Sequence, residues 1–86
     1  PRTYLDTLDL YQLELIATII YPKGNWAMVR DAKGVGHVIR RGTQIGTNEG
    51  IVQKISEGAL VIREKHIDFL GKVTTRNVVK KMATDR

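Results

Sequence analysis

Residues 26–65 read WAMVRDAKGVGHVIRRGTQIGTNEGIVQKISEGALVIREK. Short β-prone runs alternate there with glycine turns. Residues 26–30 form one run, followed by the tight turn Asp31-Ala32-Lys33-Gly34. Residues 35–40 form the return. A linker, 41–50, holds Gly42, Gly46, Gly50 and Asn48. Residues 51–55 are a third run, Ser56-Glu57-Gly58 a second turn, and residues 59–64 a fourth run. Strands bounded by Gly, Asn and Asp at such short spacing predict a small antiparallel β domain.

The linker GTQIGTNEG resembles a phosphate loop only superficially. It lacks the Gly-Lys-Ser/Thr ending, and a strand follows it, so no helix N-terminus is there to receive a phosphate. Corner and bulge glycines that let the chain cross between sheets are the better explanation, with Ile45 buried between them. In the first run Ala27 and Val29 share one face; Trp26, Met28 and Arg30 share the other. Trp26, the single tryptophan, is expected to cover the open end of the core; the alternative is a partner anchor. His37 has no ligand set at metal spacing, and His66 belongs to another element. It is expected to be a satisfied or exposed strand histidine.

Upstream, residues 13–21 alternate as a strand. Leu13, Leu15, Ala17 and Ile19 should point inward, and Glu14, Ile16, Thr18 and Ile20 outward. Ile16 and Ile20 are then ordinary surface residues or a docking strip for a partner strand. Pro22-Lys23-Gly24-Asn25 is a turn. Residues 1–9 are expected to be an extended lead-in from a linker. Asp9 with Gln12 three residues later fits a capped helical turn, which would lay Leu10, Tyr11 and Leu13 over one end of the sheet.

Downstream, Ile67-Asp68-Phe69-Leu70-Gly71 is expected at the tip of a long hairpin, with Gly71 supplying positive φ. Ile67, Phe69 and Leu70 either fold back onto the core or form an exposed contact patch. The last strand carries Val73, Thr75, Val78, Val79 and Met82, and residues 83–86 should fray. The expected plan is a lead-in with a helical turn over 1–12 and an all-β domain over 13–82. That domain is a small antiparallel β-sandwich of six to seven strands, or a small open barrel.

Composition narrows the class. The chain has 86 residues, enough for one domain burying about 60–65% of its unfolded surface. At 42% hydrophobic and 27% charged it is too apolar for a disordered segment. No apolar run approaches the roughly 20 residues of a membrane helix. The absence of cysteine excludes disulfides and cysteine-ligated metal sites, and leaves the compartment open. The chain starts at Pro1 without a leader, as expected of a processed or excised piece. Its net charge of +5 suits nucleic acid or anionic lipid. The cations are scattered, however, with only Arg40-Arg41 and Lys80-Lys81 adjacent, so solubility and protected strand edges are the simpler explanation. No catalytic constellation, metal ligand set or cofactor motif is suggested, and the protein is not expected to be an enzyme.

Three segments, WAMVRDAKG, GHVIRRGTQIGTNEGIVQKI and ALVIREKHIDFLGKVTTRNVVKKM, resemble the PilP family. These are folded periplasmic domains of type IV pilus assembly lipoproteins, related to the homology-region domain of the inner-membrane GspC component of type II secretion. The resemblance rests on Trp26, Gly34, His37, Gly42, Gly46, Asn48 and Gly50, and then on Glu64, Phe69, Gly71 and Arg76. Ala17 stands where glycine is expected. The resemblance implies a β-sandwich of about seven strands. No nucleic-acid partner is expected, because one Phe and one Trp give no interleaved aromatic platform for stacking bases. It implies a domain in the periplasm, tethered to the inner membrane by a lipid anchor and a linker upstream. The implied partners are the outer-membrane secretin PilQ and, mainly through the linker, the PilN/PilO inner-membrane complex. The candidate partner-binding residues are Glu14, Ile16, Thr18, Ile20, Ile67, Phe69 and Leu70. Trp26, Gly42, Gly46, Asn48, Gly50 and Gly71 are structural candidates. The rival reading is an SH3-like RNA-binding barrel of ribosomal or transcription type, using Arg40, Arg41, Lys54 and Arg63.

Overall fold

The computed structural model describes residues 4–82; the start of the lead-in and the tail expected to fray lie outside the described residues. The six strands are β1 (Glu14–Ile19), β2 (Trp26–Arg30), β3 (Gly36–Arg40), β4 (Ile51–Ser56), β5 (Ala59–Ile67) and β6 (Val73–Lys81). Each run of three pairs with its sequence neighbours, giving two antiparallel sheets ordered β1-β2-β3 and β4-β5-β6. The alternation on β2 works as expected: Ala27 and Val29 are buried while Trp26 and Arg30 face out. Leu15, Val29 and Ile39 from the first sheet meet Val52, Leu60 and Ile62 from the second, and these side chains are the middle of the core. The result is a sandwich of two separate meanders, not a closed barrel.

The chain crosses between the sheets at residues 41–50. The Gly42 N–H donates to the Val52 carbonyl and the Val52 N–H to the Thr43 carbonyl, each at 2.9 Å. Gly42 and Gly46 have φ of 93° and 85°, where a side chain is strained. Ile45 is fully buried, and its N–H donates to the Gly50 carbonyl at 3.0 Å. Gly50 is required for space. A Cβ there would run into the Ile45 carbonyl oxygen and lie 3.0 Å from Ile62 Cγ2. The left-handed residue beside it is Glu49, at φ 53°.

Strand β1 departs from the expected alternation. Leu15 stands opposite Val29 and Ala17 opposite Met28, so Ile16 is the extra residue of a bulge. A one-residue bulge reverses which face the following side chains take. Ile19, expected inward, is 58% exposed. Thr18, expected outward, stands opposite buried Ala27, and its Oγ1 accepts a hydrogen bond from the Gly58 N–H at 3.0 Å. That bond joins the two sheets.

Two further expectations are corrected. Trp26 does not cover the open end of the core. Ala27 and Val29 take the inner face, so strand parity turns Trp26 outward, where the Arg40 guanidinium sits 5.0 Å from the ring centre. The described part of the lead-in is not extended either: Tyr4–Thr7 is a 3-10 turn, with the Thr7 hydroxyl donating to the Tyr4 carbonyl at 2.6 Å. A second 3-10 turn, Leu10–Gln12, carries the expected cap. Asp9 Oδ1 accepts from the Tyr11 N–H, and Gln12 Oε1 accepts from the Asp9 N–H. Leu10 and Leu13 are buried, but Tyr11 is 95% exposed and covers nothing. Lys80 Nζ donates to the Leu10 carbonyl at 2.7 Å, holding this segment on β6. Burial lowers the Lys80 pKa, against the attraction of Asp9.

Gly50→Ala is expected to destabilise the domain by about 2–3 kcal/mol through overpacking. Gly58→Ala, at φ 75° with open space around it, should cost only about 1 kcal/mol. Denaturant titration of both variants checks this, and equal losses would contradict the steric explanation.

Candidate docking site

Two hairpin turns share one spelling. Asp31-Ala32-Lys33-Gly34-Val35 joins β2 to β3, and Asp68-Phe69-Leu70-Gly71-Lys72 joins β5 to β6. In the first, Asp31 Oδ1 accepts from the Lys33 and Val35 N–H groups at 2.9 and 3.0 Å. In the second, Asp68 Oδ1 accepts from Leu70 and Lys72, both at 2.9 Å. The glycines have φ of 87° and 82°. Both turns are closed by matching backbone bonds between the aspartate and the fourth and fifth residues. The aspartate and glycine therefore define the turn, and the two middle positions are free of structural duty. Ala32 and Lys33 fill them in one turn. Phe69 and Leu70 fill them in the other, at 95% and 78% exposed.

The open question about the tip is thus answered: its apolar residues do not fold back. Ile67 and Val73, the last cross-strand pair, are also exposed and continue the patch. Strand β4 supports β5 only as far as the pair Ile51–Arg63. Beyond it, the Lys65 N–H donates to the Asn48 carbonyl at 3.0 Å. Asn48 Nδ2 also donates to the buried Glu64 carboxylate at 3.3 Å, and Arg76 Nε lies 3.7 Å from that carboxylate. Asn48, Glu64 and Arg76, widely separated in sequence, form one clamp at the hairpin root. The final turn of the hairpin projects as a two-stranded finger.

The candidates on β1 do not join this surface or each other. Glu14 is ion-paired with Arg30 at 2.7 Å. Ile16 sits half-buried in the bulge, Thr18 is occupied by Gly58, and Ile20 is exposed past the strand end. Gly58 is separated from Ile67 by the nine residues of β5, roughly 30 Å at strand rise. The outer end of β1 and the Phe69 tip are distinct surfaces.

A family model described as "Pilus assembly protein, PilP" matches residues 1–82. The chain belongs to the PilP family. It is 33% identical over 63 residues to the type IV pilus inner membrane component PilP of Pseudomonas aeruginosa. That match covers 73% of this chain and 36% of the relative, so the chain spans about a third of that protein's length. The solution structure of PilP from Pseudomonas aeruginosa superposes with a TM-score of 0.86 at 27% identity, covering 100% of this chain and 77% of that one. A domain of the type IV pilus biogenesis lipoprotein PilP from the same organism gives 0.81 at 28% identity, covering 95% and 93%. A PilP domain from Neisseria meningitidis, at 15% identity and a TM-score of 0.74 over 100% of this chain and 80% of that one, shares the fold.

His37, expected to be a satisfied or exposed strand histidine, has Nε2 2.8 Å from Asp31 Oδ2. An ionised carboxylate only accepts, so the proton sits on Nε2. The Tyr4 hydroxyl donates to the same oxygen at 3.4 Å, and its ring lies 5.5 Å from the imidazole. Asp31, a turn residue by its D-x-x-G spelling, is also a buried acid. The His37 hydrogen bond lowers the Asp31 pKa, the Val35 and Lys33 amides add to this, and burial opposes it. A depressed carboxylate contributes stability above its ordinary value of 3.8, lost as pH falls through the folded-state value. Asp31→Asn should therefore flatten the acid limb. Denaturation midpoints between about pH 5 and about pH 2 are expected to fall less than in the parent, and parallel curves would contradict this assignment.

Proposed function

We propose that this domain is a non-enzymatic scaffold of type IV pilus biogenesis that lies in the periplasm, tethered to the inner membrane in the full-length protein. In this reading it binds the outer-membrane secretin PilQ and links it to the inner-membrane PilN/PilO complex. One observation carries the reading: a projecting turn whose geometry is complete without Phe69 and Leu70 nonetheless displays both to solvent. An exposed apolar patch on a finger held at its root suits insertion into a pocket on another protein. The clamp at Asn48, Glu64 and Arg76 supports it, because a preorganised finger loses little entropy on binding. A tether raises the effective concentration of the domain near its partner, so the contact can be weak and still persist. Among the described residues the two buried carboxylates, Asp31 and Glu64, are committed to structural bonds, which fits a binding role better than acid–base chemistry.

Phe69→Ser is expected to weaken binding to the N-terminal periplasmic region of the cognate secretin by at least about 2 kcal/mol, a hot-spot loss. The melting temperature should stay unchanged. Calorimetric titration reads the affinity, and an unaltered affinity for both Phe69→Ser and Leu70→Ser would place the surface elsewhere.

A further inference from the structure

The scattered cations are less scattered in the fold. Lys23, the adjacent pair Arg40 and Arg41, and Lys54 come from three places in the sequence and line one open groove of about 670 Å³. Tyr21 and Trp26 form its aromatic part, and no Asp or Glu lines it. Glu57, two residues past the lining residue Ile55, is the nearest carboxylate in sequence. Two fixed turns build the corner. The Gly24 N–H donates to the Tyr21 carbonyl, and the Thr43 N–H to the Arg40 carbonyl, both at 3.0 Å. These are β-turns with Pro22 and Arg41 at their second positions. Asn25 fastens the corner to the second sheet, its Nδ2 donating to the Ile55 carbonyl at 2.7 Å.

The corner also has an apolar border. Ile19, Trp26 and Arg40 stand in register across the outer face of the first sheet, so their side chains are neighbours. Ile19 and Ile20 are more than half exposed, beside exposed Tyr21. We propose that this corner docks on the surface of an anionic phospholipid bilayer. Trp and Tyr have apolar bodies and polar tips that settle at the headgroup level, and isoleucines reach into the acyl boundary. Lysines and arginines beside them meet the phosphates while their stems stay on the apolar side. A single-stranded RNA would use the cations but not Ile19 and Ile20, and it would need open aromatic faces; Arg40 already occupies one face of Trp26. A soluble acidic peptide would match the charge and leave the isoleucines uncovered. The corner lies at the Gly58 end of the sandwich, where Thr18 and Asn25 reach the second sheet. The Phe69 tip lies at the other end of β5, so one domain can occupy a membrane and a protein partner together. The inference does not depend on what the tip binds.

Trp26, the only tryptophan, reports directly on the site. The 86-residue chain should co-sediment with vesicles containing phosphatidylglycerol and not with pure phosphatidylcholine vesicles, with a blue shift of Trp26 emission and sensitivity to salt. Lys23→Ala combined with Lys54→Ala should lower the partition by about 25-fold, roughly fivefold per cation, with an unchanged circular dichroism spectrum. Phe69→Ser should partition like the parent. The proposal is overturned if the chain ignores phosphatidylglycerol, or if the double variant partitions like the parent. It is equally overturned if single-stranded RNA or a glutamate-rich peptide binds at the same salt while the vesicles do not.

Discussion

The packing of Ile45 against a glycine at position 50 is the constraint from which the architecture follows. Three consecutive strands make a meander with one apolar face, and that face must be covered. The ten-residue crossing at 41–50 turns the second meander back over the first, and Ile45 fills the space where it does so. Gly50 permits the approach because any Cβ would strike the Ile45 carbonyl. The same crossing then supplies Asn48, which extends the pairing of β5 past the end of β4 and anchors Glu64. One corner thus closes the core and sets the direction of the hairpin.

Function in such a domain falls to what the turns carry. The core side chains are aliphatic, and among the described residues every buried side-chain polar atom has a partner. The repeated D-x-x-G turn makes the division plain. The β2–β3 copy is drawn into the body by His37 and Tyr4. The β5–β6 copy is held away from it and carries two large apolar residues. The same backbone turn is buttressed by side chains in one place and left exposed in the other.

Much of this was legible in the sequence. Runs of β-branched residues between Gly, Asn and Asp clusters placed all six strands to within a few residues, and the paired glycines at 42 and 46 marked the crossing. The failures have local causes. A period-2 reading assumes unbroken alternation, so the bulge at Ile16 misplaced Thr18 and Ile19. Tyr4–Thr7 lacks the apolar periodicity of a helix, and a single 3-10 turn leaves little trace in composition. The Asp31–His37 contact depends on register between two strands, and the grouping of Lys23 and Lys54 with Arg40 and Arg41 depends on how the two sheets face each other. Neither is encoded in a local pattern. The hairpin residues Ile67, Phe69 and Leu70 were visible as an anomaly because apolar residues are uncommon in tight turns; only the fold established that they stay exposed.

A rigid body presenting a free apolar tip makes a specific spectroscopic demand. Amide chemical shifts of the isotope-labelled domain, followed during titration with the N-terminal periplasmic region of the cognate secretin, resolve each surface separately. Shifts concentrated at residues 67–73, with the amides of Ile45 and Gly50 unmoved, are expected. Shifts confined to the strand edges or to the Trp26 corner, with Phe69 and Leu70 silent, would contradict it.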